Sequence, residues 1–305
     1  MKFNPQIDAV SIRQAISKPK DMNKLIQIVA HRSNKQRQEI KKEYFTKYQK
    51  VLIDDLKSEL SGHFAEAVIY LFSPPIEFDC EQLYNAMKGL GTNEDTLIEI
   101  LASRNNEQIK QIKEKYTEKY NKNLEREVHK DTSGSFRKLL LKLLEATRKN
   151  NTNPSELECN ENAKRLYDVA LNKKECIYDT FIYIFTEKSR EELALTGKIY
   201  YKWYSKTLLE LIDSLFNGDF RKTLKAIIYS LLSPSEYFAY RINKALKGIG
   251  TKDTILIRVL ISRDEIDIER IKRYYKQLYN KRLYDEVKDD VSGDYKNLLL
   301  ELIGQ

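Results

Sequence analysis

Turn-forming residues are scarce in this chain. Of its 305 residues, 10 are glycine and 6 are proline, no more than about half the usual shares of roughly 7% and 5%. A sandwich, a barrel or a collagen repeat needs far more of them, so the composition argues for helices. Cysteine is nearly absent. Cys80, Cys159 and Cys176 are odd in number and lack CxxC spacing, which argues against a disulfide framework or a zinc site and for a reducing compartment. No apolar run approaches the ~20 residues that span a bilayer; those around 139–144 and 181–185 are the size of core helices. The opening MKFNPQIDAV has no apolar stretch, so no secretory signal is expected there. Charge of a single sign is lacking too. Lys and Arg number 53 against 45 Asp and Glu, a net +8, and the two signs are interleaved. That balance permits an anionic membrane or nucleic acid, but without a basic stripe or a reader motif nucleic acid is set aside as a partner. There is no Walker A, GxSxG or GxGxxG pattern, so no enzyme class is indicated.

What the chain does contain is internal repetition. Residues 87–144 align without gaps on 246–303, a shift of 159, with 26 identities in 58 positions. Two fainter copies complete the set. A shift of 72 back places Leu97 and Ile98 on Leu25 and Ile26, Arg104 on Arg32, and Asp131-x-Ser133-Gly134 on Glu59-x-Ser61-Gly62. A shift of 84 forward places Leu97 and Ile98 on Phe181 and Ile182, and Gly134 on Gly218. The glycines keep the phase: Gly62, Gly134, Gly218 and Gly293 recur once per copy, while Gly89, Gly91, Gly248 and Gly250 fill two matching loops. The expected organisation is repeat 1 at 1–73, repeat 2 at 74–146, a polar linker at 147–160, repeat 3 at 161–233 and repeat 4 at 234–305.

Inside a repeat the apolar period is helical. Ile109, Ile112, Tyr116 and Tyr120 step by three and four, and nothing alternates with period two. The run Leu139–Leu141 with Leu143 and Leu144 is apolar nearly all round, as a buried helix is. Asp131-x-Ser133 and Asp290-x-Ser292 read as N-cap material for the helices that follow. The fold class is therefore all-α. Trp203, inside the aromatic run 200–204, is expected in a helix core, with a membrane or partner anchor as the alternative. The scattered His31, His63 and His129 are expected in structural or surface roles.

Several of these residues together resemble the annexin family. The loop Lys88-Gly89-Leu90-Gly91-Thr92, Leu97-Ile98, Ser103-Arg104 and the distant Asp131-x-Ser133-Gly134 are similar to one annexin repeat; Lys247-Gly248-Ile249-Gly250-Thr251 with Asp290-x-Ser292-Gly293 is similar to another. The resemblance covers the chain from about Asp8 to Ile303. It implies four homologous five-helix repeats forming a curved disc, and little room before the first repeat for a long regulatory tail. It also implies calcium-dependent binding of anionic phospholipid by interhelical loops, in a non-enzymatic, cytoplasmic protein lying peripherally at the inner face of membranes. Among protist relatives, the alpha-giardins pair this core with cytoskeletal roles. A structural adaptor of cytoskeletal protein, with weak or calcium-independent membrane binding, therefore stays open as the alternative.

Calcium takes six to eight hard oxygens. The annexin pattern implies that the carbonyls of Met87, Gly89 and Gly91 with the carboxylate of Asp131 hold one ion. Leu246, Gly248, Gly250 and Asp290 would hold a second. Lys88 and Lys247 beside these loops are candidate contacts for lipid head groups. In repeat 1, Ser17 and Pro19 stand at the glycine positions although Glu59 keeps the acid, so Glu59 is the weakest candidate ligand. In repeat 3, Lys173 and Glu175 replace the glycines and Leu215 the acid, and that site reads as lost. The lysines of these two loops, Lys18, Lys20, Lys173 and Lys174, read either as solvated loop lysines or as standing where other repeats place a cation and contacting anionic head groups without calcium.

Overall fold

The computed structural model describes residues 2–172, 176–248 and 250–304. Among the described residues there are twenty α-helices and no strand, in four groups of five. Repeat 1 holds α1 (Pro5–Ile16), α2 (Met22–Ala30), α3 (Asn34–Tyr48), α4 (Leu52–Glu59) and α5 (Gly62–Leu71). Repeat 2 holds α6 (Pro75–Ala86), α7 (Glu94–Ser103), α8 (Asn106–Tyr120), α9 (Leu124–Asp131) and α10 (Gly134–Leu144). Repeat 3 holds α11 (Glu156–Asn172), α12 (Ile177–Glu187), α13 (Arg190–Tyr204), α14 (Leu208–Leu215) and α15 (Gly218–Leu232). Repeat 4 holds α16 (Pro234–Leu246), α17 (Asp253–Arg263), α18 (Ile268–Tyr279), α19 (Leu283–Asp290) and α20 (Gly293–Ile303).

The repeats pair out of chain order. One unit is Met1–Phe78 with Ser235–Gln305, and the other is Asp79–Pro234. In the first unit α2 packs on α20 and α17 on α5; in the second α7 packs on α15 and α12 on α10. The second helix of each repeat thus lies on the fifth helix of the other. This reciprocal packing explains the apolar girdle of those helices. Leu97, Ile98, Ile100 and Leu101 of α7, and Leu139, Leu140 and Leu144 of α10, are buried because each helix meets its own repeat and the paired one.

Local signals set the boundaries. Helices α3, α8 and α13 open on capping boxes, Ser33 with Gln36, Asn105 with Gln108 and Ser189 with Glu192. They and α18 end on left-handed residues, Gln49, Asn121, Ser205 and Asn280. Ser133 and Ser292 do stand at the N-caps of α10 and α20, but their side chains make no cap hydrogen bond. The glycine after each supplies the turn instead: Gly134 and Gly293 have φ of 57° and 64°, in the region glycine enters without penalty.

Helix α11 begins at Glu156, within the stretch expected to be linker. The rest of that stretch is tied to repeat 3. Lys149 N–H donates to the Glu187 carbonyl at 2.9 Å, and Arg148 donates to the carbonyls of Lys188 at 2.7 Å and Phe185 at 2.5 Å. The arginine thereby caps the end of α12, and burial pushes its pKa down to about 10. Trp203 departs from the core expectation. Helix α13 buries Tyr200 and turns Tyr201 and Trp203 outward, leaving Trp203 46% exposed with only an edge-on contact to Tyr204 among its ring partners. The histidines lie near the surface: His31 pairs with Glu301 at 3.1 Å, and His63 lies between Glu66 at 3.1 Å and Asp253 at 3.4 Å.

Candidate functional site

In repeat 2 the chain leaves α6 at Ala86 and re-enters a helix at Glu94. The Asn93 side chain caps α7 by accepting from the Thr96 N–H at 3.0 Å, and the Asn93 N–H closes the loop on the Ala86 carbonyl at 2.8 Å. Inside this clasp Gly89 and Gly91 have φ of 97° and 86°. A Cβ at either would meet nothing within 4 Å, so conformation rather than space demands glycine. The loop is solvent-facing, with Leu90 at its apex fully exposed. Helix α9 ends with Asp131 against this loop. The Thr92 hydroxyl lies 3.2 Å from the Asp131 carbonyl oxygen and 3.4 Å from Oδ2.

Repeat 4 rebuilds the same arrangement. The Lys252 N–H closes on the Ala245 carbonyl at 2.9 Å, and Gly248 and Gly250 have φ of 131° and 81°. The Thr251 hydroxyl donates to Asp290 Oδ2 at 2.5 Å, and its oxygen lies 3.3 Å from the Asp290 carbonyl oxygen. Folding therefore brings each glycine loop to the carboxylate forty residues beyond its last glycine. The threonines that fasten loop to acid were not singled out from sequence, although Thr92 and Thr251 fall on each other in the 159-residue alignment.

The donor set identifies the chemistry such a site can hold. Among the described residues no group of three or more His, Cys, Asp or Glu could hold a metal ion. Each loop offers one carboxylate and backbone carbonyls, all hard oxygens on a turn that glycine leaves open. That set fits a large hard cation such as calcium rather than zinc, which prefers nitrogen and sulfur. The flanking lysines are oriented by aromatic rings. Lys88 Nζ lies 5.8 Å and Lys122 Nζ 5.6 Å from the centroid of Tyr84, which stacks on Tyr120 at 4.0 Å. Lys247 Nζ lies 5.3 Å from the Tyr279 ring. Cation–π contact holds the Lys88 and Lys247 ammonium groups close to their loops.

The other two repeats differ. In repeat 1, Glu59 is engaged by Lys20, whose ammonium lies 3.0 Å from Oε2 and donates to the Glu59 carbonyl at 2.5 Å. Lys20 is thus paired with Glu59, and both Lys18 and Lys20 are exposed. In repeat 3, Leu215 stands at the acid position, next to a cluster of Tyr178, Phe181, Phe216 and Phe220. Lys173, Lys174 and Glu175 lie outside the described residues.

Four five-helix repeats, two of them setting a glycine loop against an acid, define an all-helical repeat protein. The Annexin family model matches residues 7–71, 78–143, 161–227 and 237–302, and the chain belongs to the annexin family. It is 40% identical to human annexin A3 over 303 residues, covering 99% of this chain and 94% of that one. It is 40% identical to mouse annexin A6 over 284 residues, 93% of this chain but only 42% of annexin A6. Among solved structures, annexin III superposes with a TM-score of 0.96 at 40% identity, covering 100% of this chain and 95% of that one. A calcium-bound annexin (Sm)1 superposes with a TM-score of 0.88 at 32% identity, over 99% and 90%. Calcium-bound alpha-14 giardin, at 22% identity and a TM-score of 0.88 over 99% and 100%, shares the fold.

Proposed function

We propose that this chain binds calcium at the loops of repeats 2 and 4 and, through it, the phosphate groups of anionic phospholipid membranes, as a peripheral binding protein and not an enzyme. The observation that carries the reading is the twice-built juxtaposition of a positive-φ glycine loop with Asp131 or Asp290 through a threonine hydroxyl. The carbonyls of Met87, Gly89 and Gly91 with Asp131, and those of Leu246, Gly248 and Gly250 with Asp290, are the proposed ligands. Bound calcium supplies the positive charge that a lipid phosphate ligates. Lys88 and Lys247 add charge for the same head groups, and the exposed Leu90 offers apolar area to the interface. No helix among the described residues is long and apolar enough to cross a membrane. The adaptor alternative gains nothing from the giardin likeness, which speaks to fold alone.

The reading is tested by cosedimentation with phosphatidylserine vesicles. The protein is expected in the pellet with calcium and in the supernatant with chelator; sedimentation unaffected by chelator would replace calcium gating with direct binding. A second expectation concerns affinity. One carboxylate per ion leaves coordination positions open, so each loop alone binds calcium weakly, roughly in the micromolar to millimolar range. Phosphate completes the shell, and the coupling is reciprocal. Calorimetry is expected to show calcium affinity rising on the order of 5- to 150-fold when anionic vesicles are present. Equal affinities would remove lipid from the coordination.

A further inference from the structure

Repeat 1 keeps the acid and has lost the loop, and the structure shows what stands in the gap. A shift of 72 residues places Lys20 on Thr92. The two side chains address matching acceptors: Lys20 Nζ meets the carbonyl oxygen and carboxylate of Glu59, as the Thr92 hydroxyl meets those of Asp131 and the Thr251 hydroxyl those of Asp290. The threonines are neutral and leave the carboxylate its charge. The lysine brings a full positive charge with three donors to the same place.

The loop around it is closed as well. The Asp21 N–H donates to the Ala15 carbonyl at 2.9 Å. Ala15 aligns with Met87, whose carbonyl is the first ligand proposed in repeat 2. The amides aligned with Asp21 in the ligand-bearing repeats, Asn93 by the 72-residue shift and Lys252 from Asn93 by 159, reach one residue earlier, to Ala86 and Ala245. Repeat 1 therefore spends on its own backbone the carbonyl that repeats 2 and 4 leave outside this bond. Ser17, at the first glycine position, has φ of −83° and Pro19 holds the second, so neither turns its carbonyl as the glycines do.

We propose that Lys20 is a built-in counter-cation, its ammonium taking the place of the divalent ion at repeat 1 and neutralising Glu59 whatever the calcium concentration. The proposal rests on the calcium reading of repeats 2 and 4 and extends it: the fold carries two calcium-gated loops and one that is permanently satisfied from within. A half-exposed ion pair is weak by itself; here the same ammonium also holds the Glu59 carbonyl oxygen, so an entering ion has to displace it from both acceptors.

The test is calcium calorimetry on the full chain, with far-UV circular dichroism confirming the fold of each variant. The unmodified protein is expected to take two loop ions, and Glu59→Gln is expected to leave the titration unchanged. The double variant Ser17→Gly, Pro19→Gly reopens the loop but keeps the lysine, and is expected to stay at two ions. Adding Lys20→Thr is expected to yield a third ion, bound like the other two roughly in the micromolar to millimolar range. Loss of an ion in Glu59→Gln, a third ion already in the double variant, or no third ion in the folded triple variant would each overturn the proposal. The Asp131→Asn, Asp290→Asn variant reads the calcium assignment of repeats 2 and 4 separately, so a failure there is not confused with a failure here.

Discussion

The double variant Asp131→Asn, Asp290→Asn is expected to stay in the supernatant with phosphatidylserine vesicles and calcium, as the unmodified protein does in chelator. Each substitution removes the one charged ligand of its loop and keeps the side chain's size. Asparagine retains an oxygen that can accept from Thr92 or Thr251, so the fastening of loop to acid survives and the melting temperature is expected to change little. Calcium affinity at each altered loop is expected to fall by more than tenfold, over ~1.4 kcal/mol, because the proposed charged ligand is gone. Each single variant is expected to lose one ion and to need more calcium for half-maximal sedimentation. A double variant that pellets like the unmodified protein would reject these two loops as the sites.

A larger effect on stability is expected inside the second unit. Arg104 donates from Nε to Asp79 Oδ2 at 2.6 Å and from Nη2 to Oδ1 at 2.7 Å, and their side chains are 8% and 4% exposed. Asp79→Ala leaves a guanidinium buried without its carboxylate, which costs about 3–5 kcal/mol, a large fraction of a stability of about 5–15 kcal/mol. Glu118→Ala, which breaks the exposed pair with Lys115, is expected to cost under about 1 kcal/mol. Denaturant midpoints measure both. An Asp79→Ala variant no less stable than Glu118→Ala would show that the bidentate pair is not what holds α6 to the end of α7. Asp79→Ala with Arg104→Met is expected to recover part of the loss, since the buried charge is removed along with its carboxylate.

The other repeats of this chain place their own partners at the corresponding positions. Asp8 and Arg32 repeat the ion pair in the first unit at 2.7 Å, both nearly buried. Lys188 reaches Glu158 at 3.4 Å in repeat 3. In repeat 4 the residue aligned with Asp79 is Phe238, and Arg263 lies 4.4 Å over its ring while taking a carboxylate from Asp267 at 2.7 Å. An ion pair has been exchanged for cation–π contact and a neighbour on the next helix boundary.

Repeat number, helical class and the glycine phase were legible in the sequence, because each is a matter of spacing along the chain. Helical periodicity and a left-handed residue's need for glycine act locally, so Gly89, Gly91, Gly248, Gly250 and the junction glycines declared their loops before any fold was known. The match of each loop to an acid forty residues on was implied by the resemblance to annexin repeats, and the two copies carry it at the same offset. The pairing of repeat 1 with repeat 4, and of repeat 2 with repeat 3, was decided by tertiary packing of second on fifth helices. No local residue encodes it, and the apolar girdle of α7 or α10 says only that a partner exists. The same holds for Lys20, which reads as a loop lysine free for head groups until folding brings it to Glu59, and for Trp203, whose aromatic neighbours suggested a core that α13 gives to Tyr200 instead. A side chain's charge and shape are properties of the sequence. Which acceptor it meets, and whether water still reaches it, depends on groups tens of residues away that only the folded chain brings together.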